Sequence, residues 1–240
     1  MTVKDYYQEI HQPWGELFYK LLFQQLKESL PAGGRILDFG SGFGKTAGFL
    51  SQTHQVVAYE PNAEMLPLRL AADQYQQLTG SFAEFEAAIF QQAKFDGILL
   101  HNVLEYVALE ERPKVLALLQ SHLNPGGKMS IVKHNRNGTI FAKAVLQDDP
   151  ALALSIINGG ASRSANFGTV AVYETEWLAE VLQPLNLAER FGLRTFFGLS
   201  QNTEVKYTKA WQEAMFGLEE KASQQAQFIE VAMFNHLIFS

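Results

Sequence analysis

The residues Ile36-Leu37-Asp38-Phe39-Gly40-Ser41-Gly42-Phe43-Gly44-Lys45-Thr46 carry an apolar strand run into a glycine-rich turn and on towards a helix. Glycines at Gly40, Gly42 and Gly44 let the backbone turn sharply and lie directly against a ligand, where side chains would collide. About 22 residues after Asp38, a second apolar run, Val56-Val57-Ala58-Tyr59, ends on Glu60, the position from which a carboxylate holds ribose hydroxyls. Together these residues predict a site for a nucleoside-bearing cofactor. The spacing argues against a dinucleotide, because the GxGxxG pattern needs glycine where Lys45 stands. No phosphate-cradling GxxxxGK(S/T) run occurs either.

The GxGxG form with a preceding acid resembles the first motif of class I S-adenosylmethionine-dependent methyltransferases, and the other motifs of that family follow in order. Pro61-Asn62-Ala63-Glu64-Met65-Leu66 reads as a helix start, in which Met65 resembles the apolar residue that covers adenine. Gly80-Ser81-Phe82-Ala83-Glu84-Phe85 stands where the loop after the third strand contacts the base, with Ser81 in place of the usual acid. Phe95 to Val107 resembles the fourth motif, a strand ending in the loop that faces the methyl group. Leu123-Asn124-Pro125-Gly126-Gly127 with Lys128 to Val132 reads as the LxPGG turn and fifth strand. The resemblance implies S-adenosyl-L-methionine as cofactor, held by Asp38, Gly40, Ser41, Gly42, Gly44, Glu60, Pro61, Met65, Ser81, Phe82, Ala83, His101 and Asn102.

At a narrower level, His101-Asn102-Val103-Leu104-Glu105-Tyr106-Val107, Lys133 to Gly138, Val172-Tyr173 and Phe191-Gly192-Leu193-Arg194-Thr195-Phe196 resemble bacterial methyltransferases that esterify the carboxymethoxy group of wobble uridine in tRNA. An Asn-x-x-Gly pattern, carried here by Asn135 and Gly138, belongs to the same likeness. Two departures stand out. The basic residue that the family places in its N-terminal helix falls on Phe18, and only Lys143 and Arg163 are basic between Gly138 and Val172. The expected acceptor is therefore a small anionic metabolite offering an O or N nucleophile, with tRNA wobble uridine as one alternative and cofactor binding without turnover as another.

Chemistry follows from the cofactor. A sulfonium already carries a good leaving group, so the protein has to aim the nucleophile and exclude water. A carboxylate acceptor needs no general base, whereas a hydroxyl would need one. The candidate bases are His101 and His134, at the ends of the fourth and fifth strands, where ligands of open α/β sheets gather. Arg163 is a candidate clamp for an anionic group, since a guanidinium grips carboxylate in two places. No metal is expected, because His11, His54, His122 and His236 lack ligand spacing and the chain has no cysteine.

The elements that must position these residues alternate along the chain. A helix is expected over Asp5 to Leu30, broken at Pro13; strands near 35–39, 55–59, 96–100 and 128–133; and helices near 44–53, 63–76 and 110–122. Strand candidates Leu187–Gly198 and Phe228–Phe239 read as a closing antiparallel hairpin, with a helix-like insert from Tyr207 to Gln225. The predicted fold is α/β: a Rossmann-like, mostly parallel seven-stranded sheet with an antiparallel C-terminal strand and helices on both faces. The 240 residues are expected to form one domain, with an N-terminal helical segment 1–30 and a small cap over the substrate mouth at about 136–172. A 47% hydrophobic composition places the chain outside the disordered class. A net charge of −6 argues against strong nonspecific nucleic-acid affinity. No basic-then-apolar leader and no long apolar run is present, so a cytoplasmic protein without a membrane partner is expected.

Overall fold

The computed structural model describes residues 2–160, 162–164, 168–170 and 172–240, with the backbone alone described at 162–164 and 168–170. The chain opens with helices α1 (Val3–Glu9) and α2 (Pro13–Ser29) and strand β1 (Arg35–Phe39), followed by α3 (Lys45–Leu50) and β2 (Gln55–Tyr59). Next come β3 (Gln76–Leu78), α4 (Phe82–Ile89), β4 (Phe95–His101), α5 (Arg112–Ser121) and β5 (Leu123–His134). The second half holds α6 (Arg136–Phe141), a π-helical turn (Ala142–Leu146), α7 (Pro150–Ile157), β6 (Ser162–Ser164), β7 (Gly168–Val170) and α8 (Thr175–Val181). It closes with β8 (Leu187–Leu193), α9 (Lys209–Ala222), α10 (Ala226–Ile229) and β9 (Phe234–Phe239).

Seven strands form one sheet in the order β3-β2-β1-β4-β5-β9-β8, and β6 and β7 form a separate antiparallel hairpin. β1 pairs in parallel with β2 and β4, and β2 in parallel with β3. The strand order reverses beside β1, and the crevice outside the carboxyl ends at such a reversal is where open α/β sheets bind ligands. β9 runs antiparallel to both neighbours: Asn135 N–H, after β5, donates to Met233 ahead of β9, and Asn186 and Ser240 exchange backbone bonds at the far end of the β8–β9 pair. This is the mostly parallel sheet with antiparallel closure that the sequence pattern predicts.

Two compact units emerge. One comprises Leu26–Ile131, Glu174–Glu189 and Ile238–Ser240. Its strands β1, β2 and β4 are almost wholly buried, with Ile36, Leu37, Ala58, Ile98, Leu99 and Leu100 fully inaccessible, as expected of parallel strands covered on both faces. Phe39, Tyr59 and Phe85 stack with centroids 4.3–5.1 Å apart and fix α4 on the sheet. The other unit comprises Met1–Gln25, Val132–Tyr173 and Arg190–Leu237. Here Phe18 packs edge-on against Phe234 at 5.4 Å, and buried His236 bonds Gln25 across 2.8 Å. The Asn-x-x-Gly pattern is explained by docking. The Asn135 amide donates to the carbonyls of Glu230 and Ala232 while its oxygen caps α6, and a Cβ at Gly138 would strike the Ala232 carbonyl.

The structure departs from the expected elements at definite places. In place of the helix expected near 63–76, residues 63–75 form turns with one 3-10 segment (Leu66–Leu68) and Gln76 begins β3, because Pro67 removes a helical N–H and Ala71 takes a left-handed φ of 51°. β8 stops at Leu193, because Arg194 takes a φ of 61°. Helices α4 and α8 and the short strand β3 supplement the expected set.

Candidate active site

The unit built on β1, β2 and β4 carries every expected cofactor residue. Asp38 lies in register between Ala58 of β2 and Leu99 of β4, with 2% of its surface exposed. Its carboxyl accepts the Ala47 N–H, while Oδ2 has no hydrogen-bond partner among the described residues. Burial, then the charge of Glu60, pushes this carboxyl up to about 7.

Beyond β1 the chain turns under two anchors, Gly40 N–H and Ser41 N–H, which both donate to the Tyr59 carbonyl at 2.8 and 2.9 Å. Gly40, Gly42 and Gly44 all adopt left-handed φ, yet their surroundings differ. A Cβ on Gly40 would meet Val103 at 2.5 Å, and one on Gly44 would meet the Tyr75 hydroxyl at 2.0 Å, so both are required by packing. A Cβ on Gly42 would have only Met65 Sδ near it, at 4.0 Å. Gly42 is thus the glycine whose bare face is not explained by the protein's own packing.

Glu60 pins that turn. Its Oε2 accepts the Gly42 N–H and its Oε1 the Asn62 N–H, each at 2.8 Å, and the side chain is 6% exposed. Burial raises its carboxyl above the usual range, against the pull of those two N–H groups. The Asn62 side chain then accepts the Glu64 N–H, a local turn that starts the segment carrying buried Met65. Pro61 is exposed beside it. Farther along the same edge, the Tyr59 hydroxyl donates to the Gly80 carbonyl. Ser81 closes a reciprocal capping box with Glu84 at the start of α4, leaving Ala83 exposed and Phe82 half-buried beside Phe85.

At the end of β4, His101 Nε2 lies 2.8 Å from the hydroxyl of fully buried Ser130. Burial pushes this imidazole down to about 3, so it is neutral throughout the physiological range. The following Asn102 sits at a φ of 56°, and its Oδ1 is buried without a partner among the described residues, as is the Ser41 hydroxyl. Asp38 Oδ2, Ser41 Oγ and Asn102 Oδ1 supply hydrogen-bonding capacity, including acceptors suited to an ammonium, and Glu60 retains acceptor sites for hydroxyls. That donor set fits the amino-acid tail and sugar of an adenosyl-amino acid.

His134 belongs to the other unit, where its ring packs against Phe234 at 4.8 Å. The Arg163 side chain lies outside the described residues. Among the described residues no group of three or more His, Cys, Asp or Glu gathers to hold a metal, and no helix is long and apolar enough to cross a membrane. Sequence reasoning missed three supports of the site: Ser130 under His101, Val103 against Gly40 and Tyr75 against Gly44. Each is a long-range contact without a local signal.

A family model described as a methyltransferase domain matches residues 11–189. The tRNA 5-carboxymethoxyuridine methyltransferase of Escherichia coli (strain K12) is 31% identical over 141 residues, 55% of this chain and 53% of that protein. The chain thus spans about half the length of the curated relatives it matches. A TehB-like SAM-dependent methyltransferase from Corynebacterium glutamicum shares the fold with a TM-score of 0.56 and 17% identity, over 99% of this chain and 97% of that one. A chain from the complex between the Haloferax volcanii Trm112 methyltransferase activator and a putative methyltransferase does so with a TM-score of 0.60 and 13% identity, over 93% and 89%. The family model spans most of the chain, and the sheet order and glycine turn match what that assignment requires. The chain belongs to the methyltransferase domain family, on the Rossmann-like fold of enzymes that take S-adenosylmethionine as methyl donor.

Proposed function

We propose that this protein transfers the methyl group of S-adenosylmethionine to an anionic acceptor, with a carboxylate oxygen as the nucleophile. The bound cofactor supplies a methyl group on a sulfonium, which needs no activation by the protein. Glu60 accepts the ribose hydroxyls through the lone pairs left over from Gly42 and Asn62. The bare backbone of the Gly40–Gly42 turn would accommodate the amino-acid tail, with Asp38 and Asn102 as acceptors for its ammonium. Met65 and the Ser81-Phe82-Ala83 segment would hold the adenine. His101 positions the loop after β4 through its bond to Ser130.

The observation that carries the acceptor's chemistry is that His101 Nε2 is engaged 2.8 Å from the buried Ser130 hydroxyl, in surroundings that lower the basicity of the ring. A neutral imidazole pushed down to about 3 is too weak a base to deprotonate a hydroxyl or phenol efficiently at neutral pH. A carboxylate is already ionised there, so no base is required. His134 correspondingly has no proton to take.

The acceptor is proposed to be a small anionic metabolite rather than nucleic acid, because a net charge of −6 disfavours binding of a polyanion. A second reading, the carboxymethoxy group of wobble uridine in tRNA, is supported by the 31% identical Escherichia coli relative, a tRNA 5-carboxymethoxyuridine methyltransferase. Both end in a methyl ester, and one experiment tests them. Protein and methyl-labelled cofactor are incubated with a cell extract separated into small-molecule and RNA fractions, and the label is then exposed to mild alkali. Release as methanol from the small-molecule fraction is expected, and release from RNA would favour the second reading. An alkali-stable label would overturn the carboxylate assignment. No label in any fraction, alongside demonstrated cofactor binding, would favour a noncatalytic binding protein.

A further inference from the structure

The glycine turn after β1 and the loop after β4 both belong to the unit Leu26–Ile131 and follow adjacent parallel strands. Asp38 stands opposite Leu99, so Ser41 and Asn102 each lie three residues beyond that pair. The two segments interlock. A methyl group placed on Gly40 would come within 2.5 Å of Val103 Cγ2, so the bare Cα of Gly40 seats that valine. Immediately beyond, Leu104–Tyr106 forms a 3-10 turn in which the Tyr106 and Val107 N–H groups donate to the Val103 and Leu104 carbonyls. Leu104 is fully buried and Tyr106 exposed, so the turn is anchored on one side only.

Asn102 joins the two segments. Its φ of 56° lies in the left-handed region, which asparagine tolerates because its short amide can bond to nearby backbone. Here the Asn102 Oδ1 makes no such bond: it is buried, without a hydrogen-bond partner among the described residues. Ser41 Oγ and Asp38 Oδ2, on the facing turn, are in the same condition. Three buried oxygens without partners each carry a desolvation cost, and a group with several N–H donors relieves them together. An ammonium is such a group, with its donors spread in three directions.

We propose that Asn102 is a positioning residue that ties the loop after β4 to the cofactor's amino-acid tail, so that only a ligand carrying the tail ammonium sets Val103–Val107 for the acceptor. The inference rests on the reading above that S-adenosylmethionine is seated at Glu60 and Asp38. Glu60 grips the sugar from the far side of the glycine turn, through the oxygens that also hold Gly42 and Asn62, and needs nothing from Asn102. An ammonium bonded to Asn102 Oδ1 holds that residue in its left-handed state, and with it Val103 on Gly40 and the turn that follows. The cofactor therefore binds before the acceptor, and fragments that hold only the adenosine portion occupy the site without preparing it.

The test is amide hydrogen exchange, followed residue by residue by NMR in the full chain. It is measured alone and at calorimetric saturation with S-adenosylhomocysteine or with 5′-methylthioadenosine, which keeps base, sugar and sulfur but lacks the tail. The Gly42 N–H, bonded to Glu60, is expected to slow with both compounds, and the Tyr106 and Val107 N–H groups to slow roughly tenfold or more with S-adenosylhomocysteine alone. Asn102→Gly keeps the left-handed backbone, which glycine adopts freely, and removes the amide. In that variant S-adenosylhomocysteine is expected to slow Gly42 while leaving Tyr106 and Val107 at their ligand-free rates, a comparison that needs no methylthioadenosine. A side chain with only a structural role would change the ligand-free rates and leave the slowing by ligand intact. Equal slowing of Tyr106 and Val107 by the two compounds, no slowing of them by S-adenosylhomocysteine in wild type, or wild-type slowing in Asn102→Gly overturns the proposal. Wild-type protein giving neither heat nor any exchange change with S-adenosylhomocysteine overturns the cofactor reading itself, and the role of Asn102 falls with it.

Discussion

Replacing Glu60 by Gln tests the cofactor assignment with the smallest change of shape. A carboxylate offers about four acceptor sites. Two are taken in the free protein by Gly42 N–H and Asn62 N–H, which leaves one for each ribose hydroxyl. Glutamine keeps one oxygen and turns an NH2 group towards one of the two backbone donors. One hydroxyl therefore loses its acceptor and the other loses the charge of its partner. Hydrogen bonds to a charged group contribute about 1.5–3 kcal/mol, so the Kd for S-adenosylhomocysteine should rise roughly 10- to 150-fold. One displaced backbone donor adds a stability cost of ~1–3 kcal/mol, or roughly 2–12 °C in melting midpoint for a chain of this length.

The assay is calorimetric titration at mildly alkaline pH, where the raised Glu60 carboxyl is ionised, using S-adenosylhomocysteine and its 2′-deoxy analogue on both proteins. If Glu60 meets the ribose directly, removing the hydroxyl weakens binding to wild type and has little further effect on the Gln variant. The four affinities form a cycle whose coupling isolates that contact from any displacement of the Gly42 turn. Equal penalties for the deoxy analogue in the two proteins would refute the direct contact and leave Glu60 as a brace for the turn.

The other expectations concern the same loop and its counterpart in the second unit. Asp38 holds its proton up to about pH 7 in the folded chain against an ordinary value of 3.8, so the folded state binds the extra proton between these limits and stability falls as pH rises across them. Asp38→Asn should flatten that dependence in thermal melts above pH 4 and raise the midpoint above neutrality; an unchanged profile would show that Asp38 is already ionised. Binding of the cationic cofactor should favour the Asp38 carboxylate, so calorimetry in buffers of different ionisation heat should detect proton release near pH 7 in wild type and none in Asp38→Asn. Gly42→Ala, with only Met65 Sδ near the new carbon, should lower stability by about 1–2 kcal/mol of backbone strain yet abolish measurable cofactor binding. Gly44→Ala drives its methyl into the Tyr75 hydroxyl and should cost stability first, so similar melting losses in the two variants would contradict the distinction. Glu219→Gln should lower stability by about 1.5–3 kcal/mol in thermal melts, because the three N–H groups of Thr195, Phe196 and Phe197 that shape the turn lose their charged acceptor; an unchanged midpoint would refute that role.

The contrast between Glu60 and Arg194 marks how far the sequence could be read. Strands β1, β2 and β4 announce themselves as apolar runs, because parallel strands buried on both faces leave no room for polar alternation. The glycine turn and Glu60 then fall at the ends of those strands, so most of the candidate site followed from local pattern. Where pattern failed, a competing local or distant cause is visible. Met65 stands in an expected helix that Pro67 interrupts, and β3 (Gln76–Leu78) carries two glutamines at the sheet edge, without an apolar period to betray it. At Ser81 one stretch carries two readings, since it stands where the family contacts the base and its Ser-x-x-Glu also starts α4. Arg194 is the limiting case. Nothing in Leu193-Arg194-Thr195 asks for a left-handed arginine, because the turn is dictated by a glutamate on α9, and that pairing exists only after the chain has folded. A residue whose conformation and partners are both set from a distance looks ordinary in sequence. Its buried Nε–H, without a hydrogen-bond partner among the described residues, becomes legible only when the acceptors around it can be counted one by one.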